Sequence, residues 1–65
     1  MKPEEKELIE KLCDYDMNVT KVARAMYLHR NTVTYRMKKI KEKTGLDPMR
    51  FNDLVKLRKM VGRKN

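Results

Sequence analysis

The chain has 65 residues, a formal net charge of +8 and a single cysteine, Cys13. A chain of this length forms one small domain that buries only about 60% of its unfolded surface, so a deep catalytic pocket is not expected. One cysteine cannot close an internal disulfide, which is typical of a reducing cytosol. No apolar run approaches the roughly 20 residues that span a bilayer, and the start lacks a signal-peptide pattern. We therefore expect a soluble, cytoplasmic protein that is not an enzyme.

The first predicted helix runs from about Pro3 to Asp14. Proline suits the first helical position, and three glutamates near the start complement the positive end of the helix dipole. Apolar spacing predicts that Leu8, Ile9 and Leu12 face the core. Cys13, near the end of this helix, is expected to be a small core filler rather than a reactive thiol.

The second predicted helix, Val19 to Tyr27, follows a break in the pattern and has Asn18 as its expected N-cap. The corner after it, Tyr27-Leu28-His29, is too short for anything but a tight turn, so two crossed helices form a helix-turn-helix. Many such corners place glycine where Tyr27 stands, because the backbone there is left-handed. Tyrosine in that conformation costs roughly 1 kcal/mol or more. Leu28 should fill the space between the two helices.

The third helix is predicted from about Arg30 to Lys43, with His29 or Asn31 as its cap and Gly45 as its end. Its buried stripe follows helical spacing and comprises Val33, Met37 and Ile40.

A fourth helix, from about Pro48 to Met60, is predicted because Asp47-Pro48 is typical of an N-cap and a first turn. Its core positions should be Leu54 and Leu57, together with Phe51 and the preceding Leu46. Residues 62–65 are expected to form a frayed basic tail. The predicted fold class is therefore all-α: one compact four-helix domain over residues 1–65, with a helix-turn-helix at its centre, in residues 18–45.

Charge is unevenly distributed along the chain. Residues 1–16 carry a net charge of −3, residues 30–43 carry +5, and residues 54–65 add five cations without an acid. A basic second helix in a helix-turn-helix indicates a surface for a polyanion such as DNA. The alternative, that the cations only keep a small protein soluble, is less favoured because the charge coincides with that helix.

The outer face of the third helix carries the candidate DNA-binding groups. Arg30 can bond bidentately to guanine O6 and N7, and Asn31 to adenine N6 and N7. Tyr35, one turn further on, can touch a thymine methyl or donate to a phosphate. The predicted base contacts are His29, Arg30, Asn31, Thr34 and Tyr35. The predicted phosphate contacts, which set register rather than sequence, are Thr20, Lys21, Thr32, Arg36, Lys38 and Lys39.

Three of these residues have structural alternatives. Asn31 could serve only as a helix cap, and Tyr35 could be a partly buried prop against the first helix. His29 could be a cap or a residue at the edge of the DNA groove. A metal role for His29 is not expected, since no Cys, Asp or Glu stands at ligand spacing, and no cofactor is expected.

Residues 18–46, NVTKVARAMYLHRNTVTYRMKKIKEKTGL, resemble the C-terminal helix-turn-helix of PucR-like, sugar-diacid-type bacterial transcription regulators. The resemblance rests on the string HRNT-x-x-YR followed by TGL. More distantly, the corner and third helix are similar to the nucleoid protein Fis. The Fis resemblance implies base reading at His29 and Arg30 and backbone contacts at Thr32, Thr34, Tyr35 and Arg36. It weakens at Thr34 and Tyr35, where Fis prefers cations.

The favoured function is sequence-specific binding of double-stranded DNA, as a transcription regulator or part of one, with helix 30–43 in the major groove. The alternative is a protein-interaction module that docks an acidic partner. RNA binding and catalysis rank below these. No membrane partner is expected. Because the first helix is acidic, we expect a monomer in isolation, with dimer formation on DNA or through a further domain as the alternative.

Overall fold

The computed structural model describes residues 1–62 and contains four helices. These are α1 (Pro3–Asp14), α2 (Val19–Ala25), α3 (Arg30–Thr44) and α4 (Phe51–Val61). No strand occurs among residues 1–62, which confirms the all-α fold class. None of the helices in this range is long and apolar enough to cross a membrane. The predicted basic tail lies, from residue 63 onwards, outside the described residues.

The helices pack as two pairs around one core, with α1 against α4 and α2 against α3, and α1 also contacts α2 and α3. Apolar residues spaced three or four apart give each helix one dry face. The predicted inward residues of α1 and α3, and both Leu54 and Leu57 of α4, are buried. The shared core comprises Leu8, Ile9, Leu12, Val22, Ala23, Val33, Met37, Ile40, Leu54 and Leu57.

Three helix ends follow the predicted capping pattern. Asn18 caps α2, because its side-chain oxygen accepts a hydrogen bond from the backbone N–H of Lys21 at 3.1 Å. His29 caps α3, since its Nδ1 accepts from the backbone N–H of Asn31 at 3.1 Å. Gly45 ends α3 in a left-handed conformation with φ 76°. Of the two caps considered for α3, the structure therefore selects His29.

The corner between α2 and α3 has the left-handed residue that the sequence predicts. Tyr27 adopts φ 58°, and its side chain is 94% exposed, so no packing offsets the strain. Leu28 packs partly buried against the core, and its backbone N–H donates to the carbonyl of Ala23 at 2.8 Å. Helix α2 ends at Ala25, two residues before the predicted end at Tyr27.

The predicted start of α4 at Pro48 is wrong. Asp47 instead closes a turn before the helix: its Oδ1 accepts from the N–H of Met49 at 2.9 Å, and its carbonyl accepts from the N–H of Arg50 at 3.0 Å. This turn buries Pro48, and the helix begins only at Phe51. Phe51 is 69% exposed, so its predicted core position is also wrong.

Cys13 is exposed, so its predicted role as a small core filler is wrong. The core positions of α1 are already filled by Leu8, Ile9 and Leu12, and Cys13 follows on the flank of that stripe. Its side chain lies beside α4, where it lines a surface groove with Phe51.

Candidate nucleic-acid interface

The outer face of α3 presents its polar side chains to solvent. All five predicted base contacts are exposed, and so are four of the six predicted phosphate contacts. Thr32 and Arg36 are half-buried. This exposure follows from helix geometry, since burying Val33, Met37 and Ile40 turns the opposite side of α3 outward. The core thus fixes which side of α3 can meet a ligand.

The cap at the start of α3 determines which ring nitrogen of His29 can donate a hydrogen bond to a ligand. Nδ1 accepts the backbone N–H of Asn31, so a neutral ring carries its proton on Nε2. His29 therefore caps the helix with one nitrogen and keeps an N–H donor on the other. The cap and the groove-edge role, which the sequence presents as alternatives, are compatible in one side chain.

The first five residues of α3 carry three further candidate groups that are exposed. Arg30 has no carboxylate within ion-pair distance among the described residues. The amide side chain of Asn31 is not needed for the cap, because His29 supplies it. The hydroxyl of Thr34 donates to the carbonyl of Asn31 at 3.0 Å, which leaves its oxygen and its methyl group for an external contact.

A shallow groove of about 220 Å³ runs along one flank of α3, between this helix and the start of α1. Tyr35, Arg36 and Lys39 line it from α3. Tyr35 is 59% exposed, and the Nζ of Lys39 lies 5.7 Å from the centroid of its ring. Tyr35 is therefore exposed rather than a partly buried prop, although it lines the groove that α3 shares with the start of α1.

The opposite flank of α3 lines a second groove, of about 260 Å³, shared with the turn before α4. Thr34 and Lys38 contribute to it, together with Lys41. The predicted contacts of α3 are thus divided between two flanks, and Arg30 and Asn31 lie in the first turn of the helix.

The lysines of α3 differ in how far they are already neutralised. Lys39 Nζ lies 3.7 Å from Glu42 Oε1, Lys41 Nζ lies 3.7 Å from Asp47 Oδ2, and Lys43 Nζ lies 3.0 Å from Glu5 Oε2. Lys38 has no carboxylate within 4 Å among residues 1–62. The ammonium group of Lys38 is therefore the one on this helix most available to an external phosphate.

Glu5 is a structural residue of this surface that the sequence reasoning missed. Its side chain is only 7% exposed; Oε1 accepts from the backbone N–H of Lys2 at 3.0 Å, and Oε2 accepts from Lys43 Nζ at 3.0 Å. The hydrogen bond from Lys2, and then the one from Lys43, hold the pKa of Glu5 below its ordinary value despite the opposing effect of burial. Glu5 thereby fastens the start of α1 to the end of α3.

Two lysines also border this surface without having been predicted as contacts. Lys43 lies on the flank of Arg36 and Lys39, and helical spacing from Lys39 could have identified it. Lys2 reaches the same groove only because α1 packs beside α3, which no local pattern reveals. No group of three or more metal-ligating side chains occurs within residues 1–62.

Comparison with known proteins gives one match. A family model described as the PucR C-terminal helix-turn-helix domain matches residues 7–60, which include all four helices except the start of α1 and the end of α4. No curated protein and no solved structure matches the chain.

Proposed function

Because the chain belongs to the PucR C-terminal helix-turn-helix domain family, we propose that it binds double-stranded DNA sequence-specifically by inserting α3 into the major groove. This family comprises DNA-binding helix-turn-helix domains of transcription regulators. The observation that carries the proposal is the outer face of α3, where the predicted base contacts are exposed. Arg30, in its first turn, has no carboxylate of residues 1–62 within ion-pair distance.

Base reading is assigned to the start of α3. Arg30 bonds to guanine O6 and N7, and Asn31 to adenine N6 and N7, because their planar side chains match those paired edges. The Nε2–H of His29 donates at the groove edge. Thr34 and Tyr35 contact bases one turn further along, Thr34 through its oxygen or its methyl group.

Phosphate binding is assigned to the two flanks of α3 and to the start of α2. Lys38 holds one backbone, while Arg36 and Lys39 hold the other. Thr32 supports the latter from the first turn of α3, and Thr20 and Lys21 add contacts from α2. These contacts set the position of the domain on the duplex but do not read sequence.

One pair of variants tests this division of roles. A preferred site is first obtained by selection from random duplexes, and binding to that site and to a scrambled duplex is then measured at several salt concentrations. Arg30→Ala should reduce the preference by about 1–3 kcal/mol. Lys38→Ala should weaken binding to both duplexes and lower the salt slope by about 1.

The matched control is Lys6→Ala, which removes an exposed lysine of α1 that lines neither groove beside α3. It should leave both the preference and the salt slope at the wild-type values. Equal losses of preference from Arg30→Ala and Lys38→Ala would contradict the assignment of base reading to Arg30.

Docking of an acidic protein partner on the same basic face is the alternative function. It predicts that poly-glutamate displaces a labelled duplex at charge-equivalent concentrations, because only the density of negative charge matters. DNA recognition through base edges predicts instead that unlabelled duplex competes far more strongly than poly-glutamate. The apolar surface that would favour a protein partner lies on α1 and α4 rather than on α3.

A further inference from the structure

A surface of different chemistry lies away from α3. We call it the Phe51 groove: an open depression of about 240 Å³ whose lining includes Cys13, Asp16, Met17, Phe51, Leu54 and Val55. These side chains come from α1, the turn after it and α4. No residue of α3 lines the groove, so a partner there leaves the proposed DNA-binding face uncovered.

The Phe51 groove exposes two large apolar side chains to solvent. Phe51 is 69% and Val55 is 37% exposed, and they lie four residues apart on the same face of α4. An aromatic side chain that stands in solvent beside an apolar depression is typical of the centre of a protein interface.

Opposite charges flank the two sides of the groove. Asp16, in the turn after α1, lines one side of the groove, and Asp14, which follows Cys13 in the chain, is exposed. Partial burial raises the pKa of the Cys13 thiol, Arg58 of α4 lowers it, and Asp14 and Glu10 raise it further. On the α4 side, Lys59 follows Val55 by one helical turn and is exposed. Acidic side chains thus lie on the α1 side of the groove, and an exposed cation lies on α4 just beyond its lining.

We propose that the Phe51 groove is an interface between two copies of this chain related by a two-fold axis. In an isologous pair whose two-fold axis runs along the groove, the acidic α1 side of one copy faces the cations of α4 in the other. Phe51 of each copy then contacts the apolar lining of its partner. The acidic charge of α1, which by itself opposes association, is balanced because α4 brings its cations to the same surface.

The proposal concerns association without DNA, and its failure would leave the proposed function intact. A groove with so few lining residues offers a small contact, so we expect a weak dimer. Sedimentation equilibrium over about 10 µM to 1 mM covers that range of affinities. Wild type should rise from the monomer mass of 7.8 kDa towards twice that value.

Two variants of α4 locate the interface. Phe51→Ser should weaken the dimer by roughly tenfold or more, as expected for a central aromatic contact. Met60→Ser is the control, since Met60 is 58% exposed on the same helix but does not line the groove; it should associate like wild type. Both side chains are exposed, so circular dichroism should show the wild-type helix content in each variant.

Cys13 provides a second readout inside the groove, because it is the single cysteine of the chain and is exposed. Its rate of reaction with a thiol reagent such as DTNB should fall as protein concentration rises in wild type and in Met60→Ser. In Phe51→Ser the rate should not depend on protein concentration.

Two results would overturn the proposal. The first is a wild type that remains a 7.8-kDa monomer at about 1 mM. The second is a dimer that Phe51→Ser leaves unchanged, because its interface would then lie elsewhere.

Discussion

Helices α3 and α4 bury their apolar faces in the same core but present different chemistry to solvent. The outer face of α3 carries Arg30, Asn31 and Lys38, whereas α4 exposes Phe51 and Val55 beside an apolar groove. Hydrogen-bonding and cationic groups suit a nucleic acid, which offers phosphates and base edges. An exposed aromatic side chain lowers the free energy only when a partner removes it from water. With a shared core, the outer face of each helix therefore determines the kind of partner it can take.

The largest expected effect tests whether the two helix pairs share one core. Ile40→Ala in α3 and Leu57→Ala in α4 each remove a fully buried side chain. Each should lower the free energy of unfolding by about 2–5 kcal/mol, which a domain of this size can hardly sustain. Urea unfolding followed by circular dichroism measures the change.

A single cooperative transition is expected in wild type and in both variants, where enough folded protein remains. Two separate transitions, with one helix pair unfolding while the other persists, would mean that the pairs are independent units. Helices α3 and α4 would then differ in the core that stabilises them as well as in the side chains they expose.

The next effect concerns the link between α1 and α3. Glu5→Gln removes the charge that binds Lys43 Nζ and the backbone N–H of Lys2. We expect a loss of roughly 1–2 kcal/mol at pH 7, below the full value of a charged hydrogen bond because the Lys43 side chain is half exposed. Chemical unfolding at a series of pH values measures it.

The pH dependence follows from the lowered pKa of Glu5, which means that the unfolded chain binds the proton more readily. This stabilisation is fully present above the ordinary pKa of a glutamate and is lost as pH falls through the lower pKa of the folded state. Glutamine resembles a protonated glutamate, so wild type and Glu5→Gln should converge in acid. A gap in stability that stays constant from neutral to acid pH would contradict this role.

The smallest effect is a gain of stability at the corner between α2 and α3. Tyr27 holds φ 58° and is 94% exposed, so Tyr27→Gly should relieve strain without loss of packing and stabilise the domain by about 1 kcal/mol. Thermal unfolding measures it. Tyr35→Gly is the control, because glycine within α3 should cost a similar amount. Loss of stability in Tyr27→Gly would show that the ring makes a contact essential to the corner.

Local patterns were sufficient to predict most of the fold. The limits of α1, the cap Asn18, the stop at Gly45 and the left-handed Tyr27 all depend on neighbouring residues, and the structure has them as predicted. The buried stripe of α3 likewise follows from its spacing, and with it the side of the helix that meets solvent.

The wrong assignments concern features that depend on tertiary packing. Asp47-Pro48 has the composition of a helix start, but Asp53 Oδ2 accepts from the N–H of Asp47 at 3.0 Å and holds the segment as a turn. Phe51 then becomes the first residue of α4 and points outward. Glu5 is buried because Lys43, 38 positions along the chain, reaches it, and no sequence pattern marks such a pair.

The central claim is that the chain binds duplex DNA through α3. Its most direct test is fluorescence anisotropy of a labelled mixed-sequence duplex of about 20 base pairs, titrated at several salt concentrations with wild type and with Lys38→Ala. We predict micromolar binding that weakens steeply with salt, with several counterions released, and a salt slope lower by about 1 in the variant. Absence of binding by wild type even at low salt would contradict the claim.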